Sequence, residues 1–262
     1  MTQVTEVLHP SSGDEAVAAF GDGEGVTVIA GGTIVVPAMT HGRLQPTKAL
    51  LLTEAGLTGV STSAGRTTIE AMTPIAELTG LAAPVGPCAA GIADTEIRSQ
   101  ATLGGNLCAG EGPDTPRGDL QSALLAVDAT AKSAGAGGIT EEPLADFLAH
   151  RGSRLLLSVS YEEPAAGAFV PYQRPHTHDY TALAVSAARG ADGVTRIAAT
   201  GAGWHGLRLP SAEAKADDPT AAGEAALADV ELHDDALASA WYRGKILPVL
   251  VRRALTTLQE NA

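Results

Sequence analysis

The sequence predicts an α+β protein of two domains, and three features predict it. Short apolar runs such as Val26–Ile29 and Lys48–Thr53 alternate with helix-like segments and glycine turns in the first part of the chain. Later, Thr181–Ala188 and Val194–Ala199 flank Arg189-Gly-Ala-Asp-Gly193, the turn chemistry of a hairpin. Near the end, Ser239 precedes a stripe of Ile246, Leu247, Leu250, Val251, Ala254, Leu255 and Leu258, broad enough for a helix that covers a sheet. Charge, proline and glycine gather in Glu162-Glu-Pro-Ala-Ala-Gly167, the expected linker. The expected division is a first domain over 1–161 and a smaller C-terminal domain, antiparallel sheet plus helices, over 164–262.

In order, Asp14–Phe20 reads as a short amphipathic helix, and Gly21-Asp-Gly-Glu-Gly25 leads into the strand Val26–Ile29. A Rossmann fingerprint places its glycines after the strand, so that reading fails on order. Ile34-Val-Val-Pro-Ala-Met39 starts a helix, with Pro37 tolerated in its first turn. Gly59–Ser63 and Thr67–Ala71 form a hairpin. Thr73-Pro74-x-x-Glu77 carries the N-cap, the proline at the first helical position and the acidic partner of a capping box.

From Ala101 to Asp128 the pattern is a strand-like residue, a Gly-Gly turn, a polar loop and an apolar helix. Asp119 stands at its N-cap, and Leu120, Ala123, Leu124 and Val127 follow helical spacing. Thr130–Ser133 and Arg154–Tyr161 complete the strands of the first domain, with the helix Leu144–His150 between them.

Composition narrows the function. The chain of 262 residues is 45% apolar and has no long apolar run suited to a bilayer. MTQVTEVLHPSSGDEA shows no secretory pattern, so a cytoplasmic location is the default expectation. A net charge of −13, with no basic stripe, argues against nucleic acid. Two cysteines cannot ligate a [2Fe–2S] cluster, which takes four protein ligands. Cys108 reads as a small buried hydrophobe. His176-x-His178-Asp179 lacks further ligands nearby in sequence and reads as a solvated or interface pair.

Two glycine pairs carry the chemistry. Gly104 and Gly105 can take φ > 0 and let a ligand approach the backbone, and successive amides form a nest suited to a phosphate or pyrophosphate. A second pair, Gly31 and Gly32, follows the strand Val26–Ile29. No Lys or Arg occurs from Met1 to Gly42, so backbone amides must supply most of the attraction there.

These segments, AGGT at Ala30–Thr33 and TLGGN at Thr102–Asn106 preceded by Ile97-Arg98, resemble the flavin (medium) subunit of the molybdenum hydroxylases. That family includes carbon monoxide, xanthine and nicotinate dehydrogenases. The likeness continues through Asp119-Leu120-Gln-Ser-Ala-Leu-Leu-Ala126, Pro143-Leu-Ala-Asp-Phe147 and Ser239-Ala-Trp-Tyr-Arg243 to Val249–Leu255, and so covers nearly the whole chain.

The resemblance implies a two-lobed, PCMH-type FAD-binding domain followed by the C-terminal domain. It implies FAD contacts from Ile29, Ala30, Gly31, Gly32, Thr33 and Ile34, from Thr102, Leu103, Gly104, Gly105 and Asn106, and from Asp119. Asp114 competes with Asp119, because the loop between Gly-Gly-Asn and the aspartate is longer than in the family. Ile34 stands where the family carries a polar residue, and Arg174 stands in a segment that usually has a lysine near the flavin.

The resemblance further implies an oxidoreductase subunit, inactive on substrate alone, with no catalytic acid or base and no metal ligand of its own. Its expected partners are a molybdopterin-bearing large subunit and a small subunit with [2Fe–2S] clusters, in a dimer of heterotrimers that serves an external electron acceptor. Two other readings stand beside it. One is a scaffold or assembly subunit of the same complex that has lost FAD. The other is a stand-alone flavin oxidase, which few aromatics (3%) would serve as a pocket lining.

Overall fold

The computed structural model describes residues 4–109, 118–172 and 180–261. The elements begin with β1 (Glu6–Leu8), α1 (Gly13–Phe20), β2 (Val26–Ile29), α2 (Val35–Thr40), β3 (Lys48–Leu51), β4 (Val60–Ser63), β5 (Arg66–Glu70) and α3 (Ile75–Leu78). Next come α4 (Val85–Ala90), α5 (Thr95–Gln100), α6 (Leu103–Leu107), α7 (Leu120–Ala126), β6 (Thr130–Gly135), β7 (Gly138–Pro143), α8 (Leu144–His150) and β8 (Leu155–Glu162). The chain closes with β9 (Ala166–Tyr172), β10 (Leu183–Arg189), β11 (Thr195–Thr200), β12 (Leu207–Arg208), α9 (Pro210–Glu213), α10 (Pro219–Ala225) and α11 (Ala240–Glu260). The class is α+β, as expected.

Two compact units interleave along the chain. The first comprises Met1–Glu77, Thr95–Cys108 and Thr130–Ser160, and the second Leu78–Asp94, Ala109–Ala129 and Tyr161–Ala262.

The first unit holds two sheets. β3 lies between β1 and β2 in a parallel sheet, and the other sheet runs β4-β5-β8-β6-β7. Ser12 starts α1 by accepting the Glu15 amide at 3.2 Å, while the Glu15 carboxylate accepts the Ser11 amide and hydroxyl at 2.8 Å each. This reciprocal cap points Ala16 and Phe20 into a core with Leu50, Leu52, Leu155 and Leu157. The β4–β5 hairpin turns on Ala64 (φ 51°) and Gly65 (φ 80°), the two left-handed residues that a tight hairpin requires.

The second unit is built on an antiparallel sheet, β12-β11-β10-β9. Leu183, Val185 and Ala187 of β10 join the core under α11, with Leu247, Leu250, Val251, Ala254 and Leu258. Because side chains alternate along a strand, Ala184, Ser186 and Ala188 face the other way, toward α7. Both faces are covered, so Leu183–Ala188 is buried throughout.

Ser239 caps α11 by accepting the Tyr242 amide at 3.2 Å, as its sequence foretold. Arg243 in the first turn is fully buried. Its guanidinium donates to the Asp235 carboxylate at 2.7 Å and to the carbonyls of His233 (2.6 Å) and Ala182 (3.3 Å). A second charged cluster ties β11 and β12 to the end of α7: Asp128 accepts from Arg196 and from Arg208, each at 3.2 Å, and Arg208 also pairs with Glu213.

Several expectations are corrected. The linker is shorter than Glu162–Gly167, because Glu162 ends β8 and Ala166–Gly167 begin β9. Gly167 signalled a turn but serves a close approach instead, since a Cβ there would strike the Ala83 carbonyl. The strand Gly138–Pro143 was not foreseen: exposed on nearly every residue, it shows no alternation. The Thr73 hydroxyl does not cap α3 but bonds both backbone groups of Gly59. Cys88 is buried, but Cys108 is exposed, contrary to its reading as a buried hydrophobe.

Candidate cofactor site

Strand β2 ends at Ile29, and Ala30-Gly31-Gly32-Thr33-Ile34 carries the chain into α2. Gly32 sits at φ 73°, a conformation that costs any L side chain. Its carbonyl accepts the Val36 amide at 3.0 Å. Among the described residues, no acceptor lies on the amides of Gly31, Gly32, Thr33 or Ile34. These are the successive donors expected of a phosphate nest.

The second glycine segment is organised differently. Gly104 and Gly105 are not a turn at φ > 0 but lie in the first turn of the short helix α6. Thr102 is the N-cap, and its hydroxyl accepts the Gly105 amide at 3.1 Å. The Leu103 amide donates to the Thr73 carbonyl at 2.9 Å and the Gly104 amide to the Ala71 carbonyl at 2.7 Å. These amides are therefore spent within the chain. Gly104 is needed for packing: a Cβ there would lie 3.0 Å from the Ala71 carbonyl oxygen. Leu103 is fully buried and belongs to the core, while Asn106 is 8% exposed.

The two segments lie side by side. A Cβ on Gly31 would strike the Gln100 carbonyl and come within 3.1 Å of the Ala101 Cα. A Cβ on Gly105 would stand 3.8 Å from that of Ala30. Every predicted contact from Ile29 to Ile34 and from Thr102 to Asn106 thus falls in the first unit.

Asp119 belongs to the second unit. It occupies the position before α7, yet its backbone is helical (φ −59°, ψ −37°) and its side chain makes no capping bond. The expected N-cap role is not realised. Its carbonyl instead accepts from Cys88 Sγ (3.3 Å), Ser122 Oγ (3.5 Å) and Thr200 Oγ1 (3.5 Å). Burial, reinforced by the Asp119 charge, raises the Cys88 thiol well above its ordinary pKa and the Tyr180 phenol above its own. The helix behind Asp119 is buried on all seven residues, not on one stripe. Gln121 on it accepts from the Gly206 amide at 2.6 Å and donates to the Ala109 carbonyl at 3.2 Å. Asp114, Arg174, His176 and His178 lie outside the described residues.

A bound FAD would need donors for its pyrophosphate in a place where the backbone is accessible. Gly31–Ile34 fits that need. Thr102, whose hydroxyl accepts the Gly105 amide at the start of α6, reads in the sequence as a contact and not as a cap. Thr73, which holds Leu103, gave no functional signal because its Thr-Pro pattern reads as a helix start.

A carbon monoxide dehydrogenase chain from Oligotropha carboxidovorans has this fold, with a TM-score of 0.87 at 24% identity over 100% of both chains. A chain of the Hydrogenophaga pseudoflava carbon monoxide dehydrogenase that lacks the Mo-pyranopterin moiety of its cofactor gives 0.86 at 24%, over 100% of this chain and 99% of that one. Quinoline 2-oxidoreductase from Pseudomonas putida 86 gives 0.82 at 20%, with the same coverage. At these identities the likeness is one of fold. None of the curated proteins matches the sequence. The model of the FAD-binding domain in molybdopterin dehydrogenase matches residues 3–160. That match spans more than half of the chain, and the chain belongs to the family of FAD-binding domains of molybdopterin dehydrogenases.

Proposed function

We propose that this chain is the FAD-binding electron-transfer subunit of a molybdopterin-dependent hydroxylase or dehydrogenase. The observation that carries the reading is the run of uncommitted amides at Gly31–Ile34, set beside a second glycine segment whose own amides are already bonded. FAD, once bound, supplies the redox chemistry, and the protein supplies position and electrostatics. The Gly31–Ile34 amides hold the pyrophosphate without a side-chain cation from the same segment. Thr102 and α6 support that loop from beside it, and Asn106 contributes a polar group to the nucleotide.

A molybdopterin-bearing large subunit and a small subunit carrying [2Fe–2S] clusters complete the complex, as a dimer of heterotrimers with an external acceptor. Two cysteines, one buried and one exposed, support placing the iron–sulfur relay elsewhere. A cytoplasmic location and a first domain ending near residue 161 are part of the same reading. Among the described residues no helix is long and apolar enough to cross a membrane.

The commitment of the Leu103 and Gly104 amides favours one second reading, a scaffold subunit that no longer holds flavin. The purified chain decides between them. Reconstituted with FAD, it should retain flavin bands near ~370 and ~450 nm through gel filtration, as the isoalloxazine ring dictates. Anaerobic addition of carbon monoxide, aldehydes or N-heterocycles should bleach those bands only with both partner subunits present. A colourless chain supports the scaffold, and bleaching of the isolated chain supports a stand-alone oxidase.

A further inference from the structure

The Thr73 hydroxyl is engaged twice on one residue. It accepts the Gly59 amide at 2.9 Å and donates to the Gly59 carbonyl at 3.0 Å. Thr73 itself is fully buried, and its carbonyl accepts the Leu103 amide at 2.9 Å. Two residues away, the Ala71 carbonyl accepts the Gly104 amide, and the Ile75 amide donates to the Ala101 carbonyl at 2.8 Å. Pro74 and Thr102 form an isolated antiparallel bridge. The stretch Ala71–Ile75 is therefore a splint along Ala101–Gly104, and Thr73 fixes the splint to the start of the β4–β5 hairpin. Gly59 sits at φ 135°, a backbone conformation that L side chains rarely adopt.

We infer that Thr73 is a positioning residue for the flavin site: by clamping Gly59 it sets where Leu103, Gly104 and Gly105 stand against the Ala30–Gly31 loop. The inference rests on the proposed FAD reading. Thr73 acts through main-chain bonds, so a hydroxyl is required and a methyl alone does not serve. Removing the hydroxyl takes from the part-buried Gly59 amide its partner, leaves the Gly59 carbonyl with the Glu70 amide alone, and lets the splint relax. FAD binding, which selects one placement of the loop, is opposed by that freedom.

The test compares FAD titrations of wild type, Thr73→Val, Thr73→Ser and Ile69→Val, with the unfolding of each apoprotein measured in parallel. Ile69 is fully buried in β5 and bonds neither glycine segment by its side chain, so its truncation reports general destabilisation. Thr73→Val should weaken FAD at least tenfold, while Thr73→Ser and Ile69→Val stay within about threefold of wild type. Equal affinity for Thr73→Val and wild type would overturn the inference. So would an equal loss in Ile69→Val, which would make the effect one of stability.

Amide exchange in the wild type serves if Thr73→Val does not fold. FAD should slow Gly59 exchange at least tenfold beyond any change at Ile139 on the edge strand β7, and an unchanged Gly59 overturns the clamp. A wild type that binds no FAD overturns the inference together with the functional reading beneath it. FAD bound equally well by wild type and all the variants overturns the inference alone.

Discussion

Gly31 is packed against Gln100 so closely that a Cβ on the glycine would strike the Gln100 carbonyl oxygen. The atoms it would meet are backbone of Gln100 and Ala101, not a side chain that could swing away. Gly31→Ala should therefore shift the loop and cost roughly 1–3 kcal/mol as overpacking, with FAD affinity falling as well. Gly32→Ala should cost about 1–2 kcal/mol through its left-handed backbone. Gly105→Ala meets the Thr102 hydroxyl at 3.2 Å and the Ala30 Cβ at 3.8 Å and should be the mildest of the three. Apoprotein melting and FAD titration check the order, and a Gly105→Ala more damaging than Gly31→Ala would contradict it.

Asp119 is expected to matter by charge and not by capping. Since its side chain makes no cap bond, Asp119→Asn should leave the apoprotein nearly as stable as wild type. The Tyr180 phenol, raised first by burial and then by Asp119, should titrate at lower pH in the variant. An ultraviolet tyrosinate titration reads this. An unmoved phenol would show that the carboxylate does not act on Tyr180.

Arg243→Met would strand the Asp235 carboxylate, whose side chain is only 3% exposed. A loss of about 3–5 kcal/mol in urea unfolding is expected for breaking such a buried pair. Adding Asp235→Asn should recover part of it. If the double variant were less stable than Arg243→Met by the full cost of a second lesion, the two groups would not be coupled.

Asp192 is held below the usual carboxylate range chiefly by its hydrogen bond to Arg196 and then by the Val194 amide. A depressed acid stabilises the folded state above its unfolded pKa of about 3.9, and that contribution fades as pH falls through the lower folded value. Urea midpoints should therefore drop less steeply below about pH 4 in Asp192→Asn than in wild type. Parallel curves would remove Asp192 from the acid response.

A thiol reagent should modify one of the two cysteines in the native isolated chain. Cys108 is exposed, whereas Cys88 is buried and its thiol pKa is raised. Mass spectrometry of the labelled protein should find the adduct on Cys108, and rapid labelling of Cys88 would contradict its burial.

Elements with local, self-sufficient signals were legible in the sequence: α1 by its apolar spacing, the β10–β11 hairpin by its turn, α11 by Ser239 and its stripe. The family resemblance assigned both glycine segments to one cofactor, and the structure lays them side by side. What stayed hidden depends on residues far away in the chain. β7 is polar and exposed, and gains its strand form only by pairing with β6. Gly167 reads as a turn until Ala83 is beside it. Thr73 reads as a cap until Gly59 competes for its hydroxyl. α7 looks amphipathic because Gln121 and Ser122 are polar, but Gly206 and Ser186 satisfy them in the interior.

The burial of α7 also bears on synthesis. Ser122 awaits Ser186, 64 residues later, and Thr200, 78 residues later. At about 5–20 residues per second the ribosome needs roughly 3–16 s to deliver them. For that interval a helix destined to be covered on every side lacks the cover of β10 and β11. Nascent chains arrested between α7 and β10 should therefore bind a hydrophobic dye or a holdase, and chains arrested beyond the end of α11 should not.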